Sequence, residues 1–274
     1  MCSVYPVYGM KHRFFLVLFF LLAGLCVIGI LAAARAFPSS VRFQTVASWQ
    51  YVFVGVIAAT LIIGFFRKFR SRLLWEALFL TTLFLGVWFA MFLILPIGWA
   101  LALAAILTLA QVFVRIVIVH DLFYLVGGAG VAINFAGLLS PELLVVGLVA
   151  FTVYDMVAGP PGGPIQTLAS ILIRKGIVPG LIVPARRTEI LENVDVAVKG
   201  NAAFLGAGDL ILPLTLVARA ALRETAPALI VLAGLLVGAL FLTERTDLHP
   251  RTALPLLAVG AAIPFLALRF FALI

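Results

Sequence analysis

Two carboxylic acids stand deep inside apolar sequence: Asp155 in LVAFTVYDMVAG and Asp209 in LGAGDLIL. A charged carboxylate near the centre of a bilayer costs about 2.5–3.5 kcal/mol on insertion scales, so such residues mark a function or a polar partner. Brought together, two acids cannot both ionise cheaply, because like charges repel and burial already disfavours charge. The pair then holds one proton between them. A pair in that state can hydrolyse a peptide bond: the ionised member takes a proton from water while the protonated member polarises the carbonyl. Gly206 and Gly208, with Ala207 between them, remove side chains just ahead of Asp209, so an extended peptide backbone can approach. Pro213 lacks the N–H that would bond the carbonyl of Asp209, which loosens the helix there.

The remaining titratable residues offer less. Glu76 sits just inside an apolar run and reads as structural, and Asp121 and Asp247 are expected at loop edges, solvated. His12, His120 and His249 are scattered at the edges of apolar runs, without an HExxH pattern or a serine partner. Cys2 and Cys26 cannot build a zinc site or a disulfide framework, so no metal is expected.

The elements that must carry the two acids follow from composition. Of 274 residues, 65% are hydrophobic and 11% charged, more apolar surface than a soluble domain can hide. The fold class is therefore an all-α integral membrane protein forming a single multi-pass membrane domain. Apolar segments near 14–34, 50–66, 73–95, 97–118, 122–139, 142–158, 202–219, 225–243 and 252–272 give nine transmembrane helices, each near the roughly 20 residues a crossing needs. The first, 14–34, is longer than a secretory signal's apolar core and reads as an uncleaved span. Arg115, His120 and Asp121 are placed at an interface between the fourth and fifth. One connection is long: 159–201 opens with GPPGGP, contains a possible short helix with Ile165, Leu168 and Leu172 on one side, and holds the strand-like LIVP at 181–184. Its apolar content predicts a segment resting at the membrane interface. Asp155 and Asp209 flank this loop on consecutive antiparallel helices, about 5 and 10 Å below its face at 1.5 Å rise per residue. They can meet at one depth.

Charge sets an expected orientation. The net charge of +8 and the cluster RKFRSR at 67–72 read as anchoring of cytoplasmic loops, with no nucleic acid as partner. Sorted by alternate sides of nine spans, all but Arg35, Arg42, Arg219, Arg223 and Arg269 of the 19 lysines and arginines share a side with the N-terminus and the long loop. That places the N-terminus and loop 159–201 in the cytoplasm and the C-terminus outside a cell membrane.

Tyr154-Asp155 ending one span and Gly206-Ala207-Gly208-Asp209 beginning the next resemble the YD and GxGD motifs of the presenilin and signal peptide peptidase family, most closely its archaeal presenilin homologues. The family's third motif, PAL, matches Ala253, Leu254 and the following Pro255, with Thr252 where the first proline stands. The resemblance covers about 140–272 well and the first half only in span count. It implies an intramembrane aspartyl endopeptidase with catalytic Asp155 and Asp209, no cofactor, and single transmembrane helices, unwound near the cut, as substrates within the lipid bilayer. No insertion like presenilin's cleaved loop is present, so neither self-cleavage nor an obligatory partner subunit is expected. Leu181, Ile182 and Val183, with AAFLG at 202–206, are candidates to pair with the unwound substrate by strand addition. The competing reading is a transporter using the same aspartates for protons or cations; transport sites tend toward the midplane, whereas these acids lie near one face.

Overall fold

A computed structural model of the chain describes residues 13–36, 72–158, 169–173, 176–199, 202–244 and 253–271. In chain order these form α1 (Arg13–Ala36), α2 (Arg72–Phe92), α3 (Ile97–Phe113), α4 (Val117–Leu138), α5 (Pro141–Ala158), β1 (Gly180–Val183), a 3-10 turn (Arg187–Leu191), a short α6 (Val194–Lys199), β2 (Ala203–Gly206), α7 (Ala207–Arg223), α8 (Thr225–Glu244) and α9 (Leu254–Phe270). Runs this apolar become helices because, without water, each backbone N–H and C=O must find its partner within the segment. Residues Arg13–Arg35, Leu73–Phe92, Val117–Leu138 and Thr225–Leu242 are long and apolar enough to cross a membrane. The span expected near 50–66 falls outside the described residues, as do Ile165 and Leu168 of the expected loop helix; Leu172 is buried in the helical stretch 169–173.

Two boundaries differ from expectation, each for a hydrogen-bonding reason. The break between the fourth and fifth spans lies at 114–116, where Ile116 bridges to Asn193, the Val194 N–H donates to the Arg115 carbonyl at 2.9 Å, and the Val117 N–H to the Glu192 carbonyl at 3.0 Å. Arg115 thus stays at the break. His120 and Asp121, expected at a solvated edge, instead lie inside α4, each 2% exposed. The helix carrying Asp209 starts at 207 rather than 202, because Ala203–Gly206 pair with β1 as a strand.

Helix α7 is the hub, packing against α1, α4, α5, α8 and α9. Leu210, Pro213, Leu214, Thr215, Leu216, Val217, Ala218, Ala220 and Ala221 are all buried along it, and it runs unbroken through Pro213. A helix so enclosed presents its polar groups to protein rather than lipid. Close packing around it uses small residues, because lipid offers no hydrophobic drive to bring helices together. A Cβ on Gly130 of α4 would lie 1.9 Å from the Gly86 carbonyl oxygen of α2, and one on Gly260 of α9 would lie 2.6 Å from that of Gly234 in α8. The GGAG at 127–130 is accordingly a packing surface, as its composition suggests.

Candidate active site

Asp155 lies three residues before the end of α5 and Asp209 is the third residue of α7. The later start of α7 brings the two acids closer to a common depth than the sequence reading did, within about one turn of the helix ends that face the loop. Helices α5 and α7 pack together, and the Asp155 charge acts on the Asp209 carboxylate. Asp155 Oδ2 is withdrawn from solvent. Asp209 follows its N-cap, Gly206, by three residues, the position from which an acidic side chain reaches back to the cap. Its carboxylate lies against the Gly206 backbone. A Cβ on Gly206 would stand 3.1 Å from Asp209 Oδ2, whereas one on Gly208 would meet nothing within 4 Å. The first glycine therefore seats the acid, and the second leaves open space beside it. Ala207 is half-buried, and Tyr154 is exposed beside Asp155 on α5.

The strand-like segments are strands, and they pair with each other. β1 and β2 run antiparallel with Leu181 opposite Leu205, Ile182 opposite Phe204 and Val183 opposite Ala203. Leu181, Ile182 and Val183 are fully buried. The outer edge of β1 is also taken: the Ile182 N–H donates to Asp121 Oδ1 at 2.9 Å, and His120 Nε2 donates to the Gly180 carbonyl at 2.9 Å. Pairing of Leu181–Val183 with a substrate, as read from the sequence, thus has no edge available to it. The sheet itself leads straight into Asp209, since β2 ends at Gly206, the N-cap of α7.

The third motif comes to the same end of the molecule. Ala253 is the N-cap of α9, Leu254 its first residue, and both are buried; Pro255 follows in the first turn, where a missing N–H costs nothing. α9 packs against both α5 and α7, and Arg269 near its far end pairs with Glu142 at the start of α5. The N-terminus of α9 therefore lies at the end of the bundle that carries Asp155 and Asp209. Thr252 falls outside the described residues.

Sequence reasoning missed His120, Asp121 and Gln111. Gln111 Nε2 lies 2.6 Å from His120 Nδ1; since the Gly180 carbonyl only accepts, the imidazole carries its proton on Nε2 and accepts from Gln111 on Nδ1. The available signal was a His-Asp pair continuous with the apolar run from Val117. Their partners lie some 60 residues away, beyond any local pattern.

A family model described as "Signal-peptide peptidase, presenilin aspartyl protease" matches residues 14–274. Two solved structures of a presenilin family intramembrane aspartate protease, in the P2 and C222 space groups, share the fold. The first has a TM-score of 0.59 at 23% identity, covering 93% of this chain and 96% of that one. The second has the same TM-score and identity, covering 92% and 94%. No curated protein sequence matches.

Proposed function

The chain belongs to the signal-peptide peptidase and presenilin family of aspartyl proteases, and from that premise we propose that Asp155 and Asp209 are the dyad with which it cuts transmembrane segments. It is an intramembrane aspartyl endopeptidase embedded in a membrane, acting on transmembrane substrates; the transport alternative has no support. The observation that carries the assignment is the convergence of two acids, each within a turn of a helix end, on α5 and α7, with the first turn of α9 at the same end. One carboxylate, ionised, deprotonates a water; the other, protonated, polarises the scissile carbonyl. The proton then passes to the leaving amine, and the pair is ready again.

The substrate is a single transmembrane helix that unwinds near the cut and extends the two-stranded sheet. With both edges of β1 committed, it joins at β2, the strand that runs into Gly206-Ala207-Gly208-Asp209. The complete bundle has nine spans, with 50–66 as the second, and the loop carrying β1 faces the cytoplasm, so substrates with a cytoplasmic C-terminus are favoured. It works without a partner subunit.

The test is cleavage of a membrane-embedded reporter by purified protein in lipid. Asp155→Asn and Asp209→Asn each abolish cutting, and a transition-state mimic of aspartyl proteolysis inhibits the wild type. Cleavage that persists in both variants would show that some other group activates the water.

A further inference from the structure

We propose that Asp121 and His120 are positioning residues that clamp the outer edge of β1 to α4, so that an unwound substrate pairs only along β2, beside the aspartates. The inference rests on the peptidase reading for its consequence and on geometry for the clamp itself. In an antiparallel pair, alternate residues turn their N–H and C=O toward or away from the partner strand. Leu181 and Val183 face β2; Gly180 and Ile182 face the other way, and both are held. Ile182 gives its N–H to Asp121 Oδ1 and Gly180 receives the proton on His120 Nε2, each at 2.9 Å. The two acceptor–donor groups are adjacent residues in the first turns of α4, so one rigid helix end matches two consecutive outward positions of the strand.

The clamp is braced from behind. Gln111 of α3 fixes the imidazole through Nδ1, and His120 packs against Tyr124 and Phe79, with ring centroids 5.2 and 6.4 Å away. Arg115 donates to the Gly176 carbonyl at 2.9 Å, tying the chain just before β1 to the same corner. A buried backbone donor needs some partner, but a single water or hydroxyl would have met that need. A carboxylate and an imidazole set side by side do more: they occupy the edge. An open edge recruits any extended chain. A substrate strand joining β1 from that side would lie across the sheet from β2, and β2 is the strand continuous with Asp209. Closing the wrong edge keeps the substrate in register with the acids.

Two measurements on the full-length protein in lipid test this: hydrogen–deuterium exchange over 178–186, and the rate and product masses for a transmembrane reporter. Asp121→Ala, checked for folding by size exclusion and thermal unfolding, should raise exchange at Ile182 at least 10-fold, lower kcat/KM at least 10-fold and scatter the cut over neighbouring bonds. Asp121→Asn keeps an acceptor and should restore most of the protection and the single cut site, which a loss of folding stability alone would not explain. If Asp121→Ala does not fold, Gln111→Leu carries the test, because it leaves both clamp groups in place and frees only the imidazole; exchange at 180–182 should rise and the cut should scatter. Wild-type exchange in the folded variant, or raised exchange with unchanged rate and products, overturns the proposal. A wild type that cuts no reporter would instead defeat the peptidase reading, and exchange alone would then decide the clamp.

Discussion

At the scale of single residues, the two glycines before Asp209 divide their work in a way that substitution can separate. Gly206 has no room for a methyl group without pushing Asp209 Oδ2, 3.1 Å from where the Cβ would sit. Displacing a reacting group by about 1 Å can cost on the order of 100-fold in rate. Gly206→Ala asks the Asp209 carboxylate to give by only a few tenths of an ångström, so it should lose a smaller share of activity while thermal unfolding changes little. Gly208→Ala meets no neighbour within 4 Å and should leave the free enzyme intact; a rise in KM for the reporter would locate the substrate backbone against it, and unchanged kinetics would place the substrate elsewhere. Asp155 and Asp209, which we propose as the dyad, stand out in the sequence because a carboxylate in lipid demands a reason wherever it stands. Asp121 does not. Its neighbour Arg115 does mark a chain break, and an acid six residues on reads equally well as part of the same wet edge. Only the backbone N–H of Ile182 distinguishes the two, and contact at that separation leaves no mark on local composition.

At the scale of elements, helix positions followed from apolar run length, and their ends followed from polar partners that no run length reveals. α3 ends at Phe113, where the expected span continued to 118, because Arg115 and Val117 pair with residues 192–194 of the loop. The start of α7 moved for the same kind of reason, a strand partner 23 or so residues upstream in β1. What binds the helices to one another is close contact of backbones. Gly130→Ala drives a methyl group into the Gly86 carbonyl at 1.9 Å, backbone that cannot yield as a side chain would. Overpacking of this sort typically costs about 1–3 kcal/mol, so unfolding in detergent should occur at distinctly lower temperature. Gly29→Ala, with nothing within 4 Å of the new methyl, should be neutral or slightly stabilising, since alanine is the better helix former. Equal stability of the two variants would mean that α2 and α4 do not meet as closely as described.

At the scale of the molecule, the exterior identifies its solvent. Among the described residues, α3 packs mainly against α2 and α4, and it turns Ile97, Trp99, Ile106 and Phe113 outward, each more than 60% exposed. In water such a face would drive aggregation; in hydrocarbon it costs nothing. The side of the membrane on which the site opens then decides which substrates it can cut. Thr188, in the turn after β1, and Glu224, just beyond α7, are both exposed, and the 17 residues of α7 separate the two ends by about 25 Å. With α7 as a span, the two are expected to be reached from opposite sides. With Cys2 and Cys26 replaced by alanine, a membrane-impermeant maleimide added to intact cells should label Glu224→Cys at once and Thr188→Cys only after permeabilisation, as expected if the excess of Lys and Arg on the loop side is held in the cytoplasm. Substrates would then be cut when their C-termini face the cytoplasm. Labelling in the reverse order would invert the site, and reporters of the opposite orientation would become the ones it cleaves, because Asp155, Asp209, the sheet and the first turn of α9 all lie at the loop end.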